Sequence, residues 1–254
     1  MPQKTASLRL CNGFSLKLIA LVTMTIDHVA AVLIRTQFYM PMRSIGRIAF
    51  PIYCFLLVEG YFHTHSTRNY LGRLLFVFLL SDIPFDLAFE RYWPCRESNV
   101  MLTLAIGLLA VCLIDRCRSR LKPQDSSVSH PVLFWLLTVG ITLGGMALAD
   151  FFSTDYHAGG VLLIVLFYLL RDKPVLLLLT VPATLYCFFG TVELPGVIAL
   201  LPIFLYNGER GPTPGGKVGQ WFFYLYYPLH LSIIAAINFV ANGAQFLILG
   251  QLVG

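Results

Sequence analysis

The residues best equipped for chemistry are an acid and an imidazole, Asp27 and His28, side by side in the apolar run LKLIALVTMTIDHVAAVLI. Other ionisable side chains gather close by: Arg43, Arg47 and Glu59, then Arg73, Asp82 and Asp86, with His230 far along the chain. A neutral imidazole accepts and returns a proton near neutral pH, and an adjoining carboxylate can order it. His28 beside Asp27 therefore predicts proton-transfer chemistry, against the plainer reading of a satisfied core histidine. Arg43 and Arg47 stand four apart, on one helical face, as do Asp82 and Asp86, with Pro84 between the acids predicting a kink and a freed carbonyl. Arg47 facing Asp82 or Asp86 is the expected ion pair, either as part of a site or purely as a link between helices.

Composition identifies the solvent around these groups. Of 254 residues, 57% are hydrophobic and 12% charged, with a mean hydropathy of +0.74. So few polar side chains cannot coat a water-soluble globule of this size. A bilayer core about 30 Å thick needs roughly 20 apolar residues per helix, and apolar runs recur along the whole chain. The runs are continuous and Leu-rich, without the ten-residue alternation of a barrel. The expected fold is all-α, a polytopic integral membrane bundle forming a single domain.

Spans are predicted near 14–34, 45–62, 72–90, 100–114, 131–149, 158–170, 174–190, 192–206 and 220–241, about nine, with a range of eight to ten. Residues 1–13 read as a cytoplasmic tail, 14–115 as the helices carrying the chemistry, 131–206 as scaffold and 220–241 as a final helix contributing to the site; GAQFLILGQLVG at the end reads as a surface or packed stub. With the N-terminus cytoplasmic, thirteen of the 18 Lys and Arg residues fall inside and five (Arg35, Arg43, Arg47, Arg91, Arg96) outside, which favours that orientation. The first helix carries a charged pair and no small-residue cleavage pattern, so it is not read as a cleaved signal.

The remaining signals are weak. Six cysteines (Cys11, Cys54, Cys95, Cys112, Cys117, Cys187) lack any C-x-x-C spacing, and Cys95 alone falls in a predicted outer loop, which argues against a disulfide framework. His63 and His65 without a nearby Cys or acid make a poor metal site, so no metal is predicted. There is no phosphate-binding or dinucleotide fingerprint, and no internal repeat is visible. The basic stretch 115–130 reads as a cytoplasmic loop, and nucleic acid is not an expected partner.

Ionisable groups inside a membrane cost several kcal/mol unless paired or hydrated, and are functional candidates by default. A helical rise of about 1.5 Å per residue sorts them into two layers. Asp27, His28, Arg47, Asp82, Asp86 and His230 form an outer-to-middle layer. Lys17, Glu59, His63, Arg68 and Arg73 form an inner one.

The runs KLIALVTMTIDH, RSIGRIAFPIYCFLLVEGYFHT, NYLGRLLFVFLLSDIPFDL, NVMLTLAIGLL and YYPLHL, in this order and spacing, resemble the TraX family of membrane acetyltransferases associated with N-terminal acetylation of F-type pilin. The likeness covers residues 15 to about 115 and returns near 222–232. Ser81-Asp82 departs from an expected Ser-Glu, which bears on a fine contact only. The resemblance implies acyl transfer from cytoplasmic acetyl-CoA in a bacterial inner membrane. His28, ordered by Asp27, would deprotonate an acceptor amine or hydroxyl on a pilin-like peptide, glycan or lipid headgroup arriving from outside. Arg47, Tyr227 or His230 would stabilise the oxyanion, with Glu59, Asp82 and Asp86 in the same interior. Lys17, His63, Arg68 and Arg73 would hold the anionic end of the donor. A proton-coupled transporter and a non-enzymatic pilus or envelope assembly factor are the alternatives from other classes.

Overall fold

A polypeptide without water around it must satisfy its backbone within each segment, so helix is the expected solution. The computed structural model describes residues 10–89, 97–121, 130–212 and 216–242. Among them are α1 (Gly13–Leu33), α2 (Tyr39–Gly46), α3 (Ala49–His63), α4 (Thr67–Phe89), α5 (Val100–Leu121), α6 (Pro131–Phe151), α7 (His157–Leu169), α8 (Pro174–Phe189), a 3-10 helix (Gly190–Ala199), α9 (Leu200–Phe204) and α10 (Lys217–Asn242). No named strand occurs among the described residues; two isolated bridges, Cys11 with Tyr206 and Ser98 with Thr154, join loops. Cys95, residues 122–129 of the basic stretch and the terminal GAQFLILGQLVG lie outside the described residues.

Among the described residues, six helical runs are long and apolar enough to cross a membrane: Gly13–Leu33, Tyr39–His63, Val100–Leu121, Pro131–Phe151, Pro174–Phe204 and Trp221–Ala241. Nine were expected, and the difference has three sources. Residues 174–190 and 192–206 form one 31-residue helical run, whose interruption falls at Gly190, with φ of +71°. The span at 158–170 is the 13-residue α7, short for a crossing. The span at 72–90 lies in α4, where Arg68, Arg73, Asp82 and Asp86 lower the apolar character.

Several threonine hydroxyls are satisfied within their own helices. Thr23, Thr138, Thr142, Thr180 and Thr184 each donate to the carbonyl four residues back at 2.7–2.8 Å, which removes a polar group from lipid without a partner helix. At the start of α1 the Asn12 side chain accepts the Ser15 backbone N–H at 2.9 Å, a helix cap.

The helices pack as two compact units. The first comprises residues up to Leu56, Leu80–Cys95 and Leu185 onward; here α1 packs on α2 and α10, and the 3-10 helix on α2 and α9. The second comprises Leu57–Leu79 and Arg96–Thr184, with α5, α6 and α7 in mutual contact. Its core, including Val111, Ile114, Val161, Leu163, Ile164 and Phe167, is sealed from solvent. Close approach there depends on small residues: a Cβ at Gly107 would overlap Ile164, and one at Gly145 would stand 3.1 Å from Val161.

Candidate functional site

Along α1, Leu16, Ala20, Thr23 and Ala30 are buried at spacings that mark one helical stripe, and Asp27 falls on it. Its carboxylate is the hub of a charge network in the first unit. Arg43 Nη1 donates to Asp27 Oδ2 at 2.5 Å, and Arg47 Nη2 to Oδ1 at 3.1 Å. Arg47 Nη1 also donates to Glu193 Oε1. Two carboxylates and two guanidiniums thus balance in charge and join α1, α2, the α2–α3 junction and the 3-10 helix. Such a balanced set is what a low-dielectric interior tolerates. Two glycines make room for it: a Cβ at Gly46 would overlap the Asp27 side chain, and a Cβ at Gly196 would stand 2.9 Å from the Arg47 carbonyl oxygen.

Neighbours in a helical sequence point about 100° apart, and His28 accordingly turns to a different partner. Its Nδ1 lies 2.7 Å from Nε2 of His230 on α10. The expected ordering of His28 by Asp27 is therefore not what the structure has; Asp27 is engaged by the two arginines and His28 by His230. The His28 ring is also flanked by Phe89 and Tyr227, with centroids at 5.2 and 6.1 Å.

Hydrogen-bond chemistry fixes where the protons are. His230 Nδ1 lies 2.8 Å from the Tyr226 carbonyl oxygen, which can only accept, so Nδ1 carries hydrogen. The neutral ring then has a bare Nε2, and the 2.7 Å contact requires His28 Nδ1 to donate to it. His28 is left with a lone pair on Nε2. The opposite assignment would make His230 a cation at 5% exposure with no carboxylate among its described partners, a costly state. His230 consequently has no N–H left for an oxyanion, which removes that expected role from it.

The same accounting applies to Tyr226. Thr25 Oγ1 donates to the Leu21 carbonyl at 2.8 Å, so at the 2.8 Å contact between Thr25 and Tyr226 the phenol is the donor. Tyr226 is thereby pinned to α1 one turn before His28. Tyr227 is buried, with its ring beside both imidazoles. Asp86 is buried and Asp82 half-buried on the part of α4 in this unit. Lys17 lies on α1 with Nζ 5.4 Å from the Phe223 ring centroid.

Glu59, His63, Arg68 and Arg73 belong to the second unit. Glu59 is buried, and its Oε1 accepts Arg171 Nη2 at 2.8 Å. His63 Nδ1 donates to the Glu59 backbone carbonyl at 2.8 Å. Arg171 also lies over the Phe62 ring at 4.2 Å. Nearby, Asp115 accepts the Tyr61 and Tyr168 hydroxyls at 2.8 and 2.6 Å. Arg68 is exposed, and Arg73 is half-buried over the Tyr70 ring at 5.6 Å. The four residues expected to hold a donor are thus divided between the units, Lys17 in the first and the other three in the second.

The IDH, RSIGR and YYPLHL segments, with Glu193, thus build a buried network of arginines, carboxylates and paired imidazoles. The profile of the TraX protein family matches residues 12–238. The chain belongs to the TraX family. It is also 30% identical over 244 residues to a protein of Dichelobacter nodosus named "Probable fimbrial assembly protein FimC, serogroup H1", covering 89% of this chain and 95% of that one. No solved structure matches.

Sequence reasoning missed Glu193, which lies in the stretch read as scaffold, and with it Arg171, Asp115, Thr25 and Tyr226. A signal for Glu193 existed. It is a lone acid in the apolar run CFFGTVELPGVIALL, and a lone intramembrane charge demands a partner.

Proposed function

We propose that this TraX-family chain is a membrane-embedded acyltransferase that moves an acetyl group from cytoplasmic acetyl-CoA to an acceptor on the outer side of a bacterial inner membrane. The observation that carries this reading is the 2.7 Å contact of His28 Nδ1 with His230 Nε2, whose hydrogen-bond accounting leaves a lone pair on His28 Nε2, next to the arginine–carboxylate network centred on Asp27. That nitrogen removes the proton from an acceptor amine or hydroxyl as it attacks the thioester carbonyl. The aromatic walls formed by Phe89 and Tyr227 hold the imidazole ring, so little reorganisation is needed when it acts. Arg43 and Arg47 keep their positive charge close to α1, where charge develops on the thioester oxygen. Lys17 on α1 is one candidate for the donor's phosphates; His63, Arg68 and Arg73, which share the second unit, are a separate one. The name of the Dichelobacter relative supports a pilin-like acceptor.

The deciding experiment uses the full chain in lipid nanodiscs with acetyl-CoA labelled in its acetyl group, and a pilin N-terminal peptide as acceptor. Transfer of label by the parent chain and its loss in His28→Ala is the expected result; no transfer to peptide, glycan or lipid acceptors refutes the reading. The relative's name also favours a second reading, a fimbrial assembly factor without chemistry of its own. Under that reading His28→Ala leaves the intact mass of the assembled subunit unchanged, whereas under acyl transfer the subunit loses the mass of one acetyl group.

A further inference from the structure

An acyl-transfer base has two tasks: it takes a proton from the acceptor, then delivers one to the departing thiolate. In hydrolases of the Ser-His-Asp type a carboxylate behind the imidazole steadies the cation between the two steps. Here the neighbouring carboxylate, Asp27, is held by Arg43 and Arg47, and the group behind the base is a second imidazole. Geometry favours proton movement between the two rings. Their planes are 9° apart and their centroids 5.0 Å apart, while the facing nitrogens are 2.7 Å apart. The centroid separation exceeds the nitrogen separation by about two ring radii, so the rings meet edge to edge in nearly one plane, each nitrogen along the other's lone-pair direction, and are not face-stacked.

We infer that His230 is the positioning residue and proton relay of His28, a role that rests on the acyl-transfer reading above. In the first step the acceptor heteroatom bonds to the thioester carbonyl carbon and its proton passes to His28 Nε2. The His28 Nδ1–H bond breaks in concert, its proton moving to His230 Nε2. His28 is then neutral with hydrogen on Nε2, an acid facing the site, and the positive charge rests on His230. In the second step the C–S bond breaks and the thiolate takes the Nε2 proton. His230 returns its proton to His28 Nδ1, and both rings regain their starting tautomers. No proton is gained or lost from outside: the hydrogen removed from the acceptor is balanced by that delivered to coenzyme A.

A cation on His230, costly in the resting protein, exists only between the two steps, and of the two rings His230 is the better placed to carry it. Its Nδ1–H already donates to the Tyr226 carbonyl at 2.8 Å, an acceptor that strengthens when the ring is cationic. The Tyr226 ring lies nearly parallel to it, planes 12° apart and centroids at 5.1 Å, and Tyr227 is at 5.5 Å; aromatic faces attract cations. Tyr226 is itself anchored to Thr25, one turn from His28 on α1, so a single side chain couples the position of the relay to that of the base.

Two measurements test this on the full chain in nanodiscs. The first is independent of activity: ¹⁵N-histidine NMR, assigned with single-histidine variants, is expected to place hydrogen on Nδ1 of both His28 and His230. Hydrogen on Nε2 of His28 would overturn the proposal. The second compares His230→Gln with the parent. A glutamine carbonyl can accept the His28 Nδ1–H and hold the ring, but cannot receive its proton. Turnover is expected to fall roughly 100-fold or more with KM for acetyl-CoA unchanged, and the solvent isotope effect to change from a two-proton to a one-proton dependence. Turnover within about threefold of the parent, or an unchanged proton count, would overturn the relay. Absence of turnover in the parent refutes acyl transfer itself, and so separates the two failures.

Discussion

Glu193 offers the sharpest test of the charge network, because it lies far from Asp27 in sequence and only the folded chain makes it a partner. Arg47 is 8% and Glu193 6% exposed. Removing Glu193 as Glu193→Leu takes one carboxylate from the buried Arg47 and leaves Asp27 shared by Arg43 and Arg47. Breaking a buried pair from one side costs about 3–5 kcal/mol. For a chain of this size each kcal/mol shifts the melting midpoint by about 2–4 °C, so a fall of roughly 6–20 °C is expected. The double variant Arg47→Leu with Glu193→Leu removes one charge of each sign and leaves Asp27 with Arg43 at 2.5 Å. It should recover most of the loss, with a coupling of about 2 kcal/mol or more. Labelling by a thiol-reactive dye during a thermal ramp reads the transition, since Cys54 and Cys112 are buried and become reactive on unfolding. A fall under about 3 °C in the single variant, or a double variant as unstable as the two singles combined, would refute the network as a stabilising element.

Gly46→Ala places a methyl group on the Asp27 side chain; overpacking of about 1–3 kcal/mol is expected, with acetyl transfer lost, as measured by the same melt and by labelled acetyl-CoA. Asp115→Asn turns one oxygen that accepts from Tyr61 or Tyr168 into a donor and should cost about 1–3 kcal/mol by thermal melting, more than the Tyr61→Phe single variant. Gly107→Ala meets Ile164 in the second unit and should destabilise by about 1–3 kcal/mol, with Ile164→Ala in the same chain recovering part of the midpoint. Tyr226→Phe removes the hydrogen bond to Thr25 and should cost about 1 kcal/mol, with no added loss when Thr25→Val is combined with it.

Much of this architecture is legible in the sequence, for physical reasons that can be named. The helical class follows from apolar runs with no barrel period, and α1 is bounded by Asn12 and read to within a residue or two. The concentration of ionisable side chains near the N-terminus is legible from the cost of intramembrane charge; Asp27, His28, Arg43, Arg47, Asp82, Asp86, Tyr227 and His230 fall in one unit, whereas Glu59, expected in the same interior, falls in the other. The count of spans fails where composition and geometry part. At Gly190 one helical run passes from α to 3-10 geometry without ending, and α4 carries four charges yet remains a 23-residue helix.

What sequence cannot supply is the pairing, and Asp27 with His28 shows why. Adjacency in the chain suggests an acid–imidazole couple, but residues i and i+1 on a helix do not face each other. The partners come instead from α2, α10 and the 3-10 helix, at separations of 16, 202 and, through Arg47, 146 residues. Local rules still constrain the outcome once those contacts exist. A carbonyl that can only accept, four residues before His230, sets the hydrogen on one imidazole, and that choice sets the hydrogen on the next. The tautomer of His28 is therefore set by the backbone of α10 through His230, and a change at His230 should alter the base on α1 while residue 28 itself is unchanged.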